Sequence, residues 1–188
     1  HFTIATRQVT PTAHNYIQGL IKTEKKKGTC RGMSKVLDQV GSQNLNHLLS
    51  ESPWYYDEVM HQVKLRSNSR LKGHPYTCMQ IDEFSFPKKG KKSVGVSRQY
   101  LGCLGKNDNG QVAVGLTHNQ GKNSSLIDSR LFLPTSWTND KARMEAAGVP
   151  LVYQTHQTKL EIALDLVDEA IHNGVFFNWI NMCLYRNV

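Results

Sequence analysis

The chain has 188 residues, 39% of them hydrophobic, and a formal net charge of +8, which suits the core of one ordinary domain with a small appendage. No apolar run approaches the roughly 20 residues that span a bilayer, and no charged-then-apolar leader opens the chain, so the expectation is a soluble cytoplasmic protein with no membrane partner. Cys30, Cys78, Cys103 and Cys183 form no CxxC pair, which argues against a zinc ribbon or a disulfide framework and for buried, reduced thiols.

Helical periodicity dominates the front of the chain. Thr10 and Pro11 make a helix start, and Ala13, Tyr16, Ile17, Leu20 and Ile21 recur at helical spacing, predicting a first helix to about Lys26. Met33, Val36, Leu37 and Val40 predict a short second helix, and Leu45, Leu48 and Leu49 a third. Ser52-Pro53 opens a fourth through Tyr56, Val59, Met60 and Val63. Gly73-His74-Pro75 ends the helical pattern.

Beyond Tyr76 the period changes to that of strands. "TCMQIDEF", "SVGVSRQYLGCLG", "QVAVGLTH" and "SLIDSRLFL" read as four extended runs. "KNDNG", ending Asn109-Gly110, predicts a tight hairpin and "NQGKNSS" a second turn. "PTSWTNDKARMEAAGVP" reads as a linker. It leads into an amphipathic helix with Leu160, Ala163, Leu164, Val167, Ala170 and Ile171 on one stripe and Asn173-Gly174 as its stop. "VFFNWI" then reads as a buried strand. A helix crossing back from an antiparallel meander sets this strand beside an early one, in parallel. The predicted class is α+β, with a helical region over residues 1–73 as a candidate for DNA binding or dimerisation, followed by a mixed sheet over residues 74–188.

The positive charge is confined to two blocks. Residues 1–35 carry seven Lys/Arg against Glu24 alone, and residues 64–106 carry ten against Asp82 and Glu83. Such blocks suit a polyanion, because each Lys or Arg that meets a phosphate releases condensed counterions. For "KTEKKKG" a solvated cationic face is an equal reading. Lys88, Lys89, Lys91 and Lys92, with Arg98 close behind, stand out because they follow a carboxylate pair directly.

The stretches "IDEFSFPKKGKKSVGVSRQYLGCLGKNDNGQVAVGLTH", "RLFLPTSW", "ARMEAAGVP", "TKLEIALDLVDEA" and "FNWI", with "HNYIQGLIKTEKK" and "LLSESPW" ahead of them, resemble the DDE-type transposases of bacterial insertion sequences. The resemblance covers nearly the whole chain. It implies an RNase H-like core and metal-dependent cleavage and strand transfer of insertion-sequence DNA, with double-stranded DNA as partner and a homodimer as a candidate assembly. In such enzymes three carboxylates hold two divalent ions, Mg2+ or Mn2+, about 3.5 to 4 Å apart. By the match, Asp82 is the first acid and a metal ligand. Glu83, on the other face of an alternating strand, is not.

The chain departs from the pattern at the second acid. Relatives read like "FNWVxxDGLYG" after the helix, whereas this chain reads "FNWINMCLYRNV", so Cys183 stands where aspartate is expected and no carboxylate follows Glu169. A neutral thiol is a poor ligand for a hard cation. The third acid, a glutamate on a later helix in the family, has no counterpart, so the resemblance implies a truncated or degenerate copy that binds metal weakly. Two readings stand: a transposase, and a catalytically inactive remnant that binds DNA or dimerises. Asp128 and Asp165 read as surface residues, His118 as a turn residue, and Trp54, Trp137 and Trp179 as packing anchors.

Overall fold

The computed structural model describes residues 3–4, 7–24, 28–52 and 56–183. The expected helix start at Ser52-Pro53, the lysines at 25–27, Trp54 and the terminal "YRNV" lie wholly or partly outside them. The chain forms two compact units, His1–Tyr56 and Asp57–Val188.

The first unit opens with a two-residue pairing of β1 (Thr3–Ile4) and β2 (Arg7–Gln8), followed by α1 (Thr10–Lys22), α2 (Cys30–Met33) and α3 (Ser42–Ser50). Pro11 sits in the first turn of α1, where a missing N–H costs nothing. α1 stops at Lys22, short of the Lys26 expected. α2 is a single turn capped by the Thr29 hydroxyl. The longer second helix expected from Met33 to Val40 gives way to turns in which Gln39 takes a φ of 58°, yet Met33 and Leu37 stay buried with Cys30 and Leu45. Gly19 lets α1 approach α2, since a Cβ there would meet the Met33 Cβ at 2.8 Å.

The second unit contains all but the first residue of α4 (Tyr56–Leu71), then β3 (Thr77–Pro87), β4 (Ser97–Leu101), β5 (Lys106–Gln120), β6 (Asn123–Leu131), α5 (Thr135–Thr138), α6 (Lys141–Ala146), α7 (Lys159–His172) and β7 (Trp179–Cys183). The sheet runs β6-β5-β3-β7, antiparallel except that β7 is parallel to β3, and β4 pairs with the far end of β5. This is the RNase H-like order, and the expected parallel neighbour of the Asp82 strand is present. This unit begins at Asp57, and α4 packs the buried side chains of Lys64 and Ser67 on the sheet.

Met79 and Ile81 of β3, Val114 and Leu116 of β5 and Ile127 of β6 meet Ile162, Ala163, Leu166, Val167 and Ala170 of α7 in the main core. Thr158 and Glu161 form a reciprocal capping box that starts α7; the hydrogen bonds that the Glu161 carboxylate accepts from Thr158 hold it below its ordinary range. The buried stripe is rotated from the one expected: Leu160, Leu164 and Ile171 are about half exposed. α7 carries apolar residues on more than half its circumference, so periodicity alone does not choose between two overlapping stripes. On α4 the buried positions are Lys64, Ser67 and Leu71, while Tyr56 is exposed and Val63 is only partly covered.

Three local expectations are corrected. The β4–β5 turn falls at residues 102–105, where Gly105 supplies a φ of 64°, and Asn109-Gly110 lies inside β5. Residues 134–150 are a folded cap in which Trp137, Met144, Val149 and Leu133 bury one another, so they are no linker. The last strand begins at Trp179 and its residues are exposed, leaving Val175 as the buried residue of "VFFNWI". Trp137 is a packing anchor, whereas Trp179 is half exposed. Cys30 and Cys78 are buried, and Cys103 and Cys183 are exposed free thiols. Among the described residues no helix is long and apolar enough to cross a membrane.

Candidate functional site

Alternation along β3 decides what each acid of "IDE" can do. Ile81 is fully buried under α7, so Asp82 turns to the opposite face and Glu83 returns to the helix side. Asp82 is exposed, and its Oδ1 accepts a hydrogen bond from the Glu83 amide at 2.8 Å. Glu83 is instead paired with Lys159 in the first turn of α7, both side chains largely covered. The Lys159 ammonium also lies 5.6 Å from the Phe132 ring centroid.

The parallel register of β3 and β7 sets Asp82 opposite Cys183. In a parallel ladder, paired residues share a face, so the carboxylate and the thiol stand side by side on the face away from α7. On the other side of Asp82 the antiparallel partner is Gly115. A Cβ at Gly115 would meet Phe84 Cε1 at 2.6 Å and Leu126 Cδ1 at 3.2 Å, so these two apolar side chains occupy the space beside the acid. Among the described residues, no group of three His, Cys, Asp or Glu side chains is placed to hold a metal ion. The donor set next to Asp82 is one carboxylate and one thiol, which does not fit a pair of magnesium ions, since hard cations select oxygen.

The lysines are adjacent to Asp82 in sequence but not in space. β3 is extended from Thr77 to Pro87, and six residues of strand span about 20 Å, so Lys88 begins a loop at the far end of the sheet. Lys88, Lys89, Lys91 and Lys92 are all exposed, and none of them forms an ion pair among the described residues. Arg98 is exposed on β4, and its register partner is Asn109. Pro87 and Ser97 both pair with Gly110, so Arg98 and the lysine loop converge on one end of β5. Asp108 is held below the ordinary carboxylate range by the Asn109 amide, by Lys106 and, more weakly, by Arg98.

Two residues expected at the surface or in a turn belong to a buried polar layer under α4. Asp128 is not a surface residue: a β-bulge in β6 between its pairings with Leu116 and Thr117 turns both Ile127 and Asp128 inward. There Asp128 meets the Lys64 ammonium at 2.5 Å, both side chains buried. His118 is not a turn residue but a fully buried one, with Nδ1 2.9 Å from Ser67 Oγ and Nε2 2.9 Å from the Phe176 carbonyl. A carbonyl only accepts, so Nε2 carries the proton, and burial pushes the imidazole pKa down, keeping Nδ1 free to accept from Ser67. No sequence signal distinguishes this layer, because its partners lie 51 to 64 positions apart. Asp165 does sit at the surface, about half exposed, and binds Arg130 at 2.9 Å.

The family model described as DDE superfamily endonuclease matches residues 1–181. The chain is 37% identical over 169 residues to a protein of Microchaete diplosiphon named "Probable transposase for insertion sequence element IS701"; the match covers 89% of this chain and 41% of that protein. The match thus spans about two fifths of the length of that curated relative. No solved structure matches.

Proposed function

We propose a function from the premise that the chain belongs to the DDE superfamily endonucleases and is of the insertion-sequence transposase type. It binds duplex DNA through Lys88, Lys89, Lys91, Lys92 and Arg98 and presents Asp82 as the first acid of a cleavage site that the described residues do not complete. The observation that carries this reading is the β3–β7 register, which sets residue 183 beside Asp82 where the resemblance implies a second acid. With cysteine at that position, the reading is DNA binding without cleavage by this chain.

The separation along β3 supports a flanking role for the cations. About 20 Å of strand between Asp82 and Lys88 corresponds to roughly six base-pair steps of 3.4 Å. The lysine loop would therefore hold phosphates flanking the reacting position. Supercoiled plasmid incubated with the chain in Mg2+ or Mn2+ should be bound and not nicked, and Asp82→Asn should alter neither result. Cys183→Asp should raise Mn2+ affinity measured by calorimetry, since two facing carboxylates hold a divalent ion better than one. Magnesium-dependent nicking by the unmodified chain, abolished by Asp82→Asn, would sink the binding-only reading.

A further inference from the structure

Residues 88–96 contain no helix or strand, and a nine-residue cationic loop of this kind ordinarily stays loose. Here its backbone is tied down from four directions. Asn109 Nδ2 donates to the Lys88 carbonyl at 2.6 Å and to the Gly90 carbonyl at 2.9 Å, while the Lys88 amide donates back to the Asn109 carbonyl at 2.9 Å. Arg143 Nη2 donates to the Lys91 carbonyl at 2.8 Å, and its guanidinium lies 3.6 Å from the ring centroid of the buried Trp137. Gln111 Nε2 donates to Val94, Gln99 Nε2 to Gly95 and Trp137 Nε1 to Val96, each through the carbonyl. Six carbonyls of the loop are thus held by side chains of β4, β5, α5 and α6, while its four lysines stay exposed.

We infer that Asn109 and Arg143 are positioning residues for DNA binding: they hold Lys88, Lys89, Lys91 and Lys92 as a pre-shaped row of cations for the phosphates of a duplex. The inference rests on the reading that this loop meets DNA and adds to it which residues set the affinity without touching the nucleic acid. Pre-shaping works because a loose loop loses conformational freedom on binding, at a cost for each side chain that must be ordered. Gly110 completes the clamp. A Cβ there would meet the Phe86 carbonyl oxygen at 2.6 Å and Leu101 Cδ1 at 2.7 Å, so the glycine lets β5 pass close enough for Asn109 to reach the loop.

The test compares charge-conserving variants with charge-removing ones, using a short random-sequence duplex and the full chain over a series of salt concentrations. Asn109→Ala and Arg143→Lys keep every positive charge; each should weaken binding by about tenfold with the slope of log K against log salt preserved. In both, the amides of residues 89–92 should exchange hydrogen faster. Replacing the four lysines by alanine should weaken binding and flatten the slope by about 0.9 for each phosphate no longer neutralised. If the lysine variant weakens while Asn109→Ala and Arg143→Lys bind as the unmodified chain does, the clamp is overturned and the DNA reading stands. An unchanged slope and affinity in the lysine variant would overturn both.

Discussion

α7 and α4 rest on the same face of one sheet, and the chemistry that seats them is opposite. α7 covers the sheet with Ile162, Ala163, Leu166, Val167 and Ala170, so it is held by removing apolar area from water, which needs no specific partner. α4 reaches the same sheet with Lys64 on Asp128 and Ser67 on His118. Those pairs add little net stability when satisfied, but removing one partner leaves a buried polar group or charge in an apolar interior. An apolar seat therefore degrades gradually under substitution, and a polar seat fails abruptly.

The largest effect should come from splitting the buried ion pair. Lys64→Ala leaves Asp128 buried without its ammonium and is expected to cost about 3 kcal/mol or more in denaturant unfolding. The double change Lys64→Met, Asp128→Leu should cost far less, since both charges leave together. Equal losses in the single and double variants would show that the pair is not what seats α4. Next in size, Leu166→Ala should cost about 2 to 5 kcal/mol through the cavity it opens. Leu164→Ala, on the half-exposed stripe, should stay near the ordinary surface range of about 0.5 kcal/mol. The reverse order would restore the stripe that periodicity alone suggests.

The smallest effect is a pH dependence on the polar side. Burial depresses the His118 pKa, so the folded chain holds His118 neutral where the unfolded chain takes up a proton. The stabilisation is fully present above the unfolded value of about 6.5 and is lost as pH falls from there through the lower folded value. Thermal unfolding midpoints should drop between about pH 7 and pH 5, and His118→Gln should remove part of that drop. An identical pH profile for the variant would mean that His118 takes up its proton without unfolding, and that the α4 seat tolerates the charge.

Local periods and turn chemistry were enough to read the α+β class, the order of strands and helix, and the placement of the last strand parallel to the one bearing Asp82. Connection rules act on elements, and each element announces itself within a dozen neighbouring residues. The same local logic separated Asp82 from Glu83, because side chains alternate along any strand. Tertiary structure alone decided which of two apolar stripes α7 buries, since that choice depends on the sheet beneath it. It also decided that Lys64, Ser67, His118 and Asp128 go inside, because a buried polar group is stable only beside a partner that sequence proximity does not supply. Tertiary packing likewise makes Asn109 a clamp in place of a turn: its amide finds the Lys88 and Gly90 carbonyls 21 and 19 positions away. And the extension of β3 parts the acids from the lysines that follow them, because neighbours in sequence lie close in space only where the chain is not a strand.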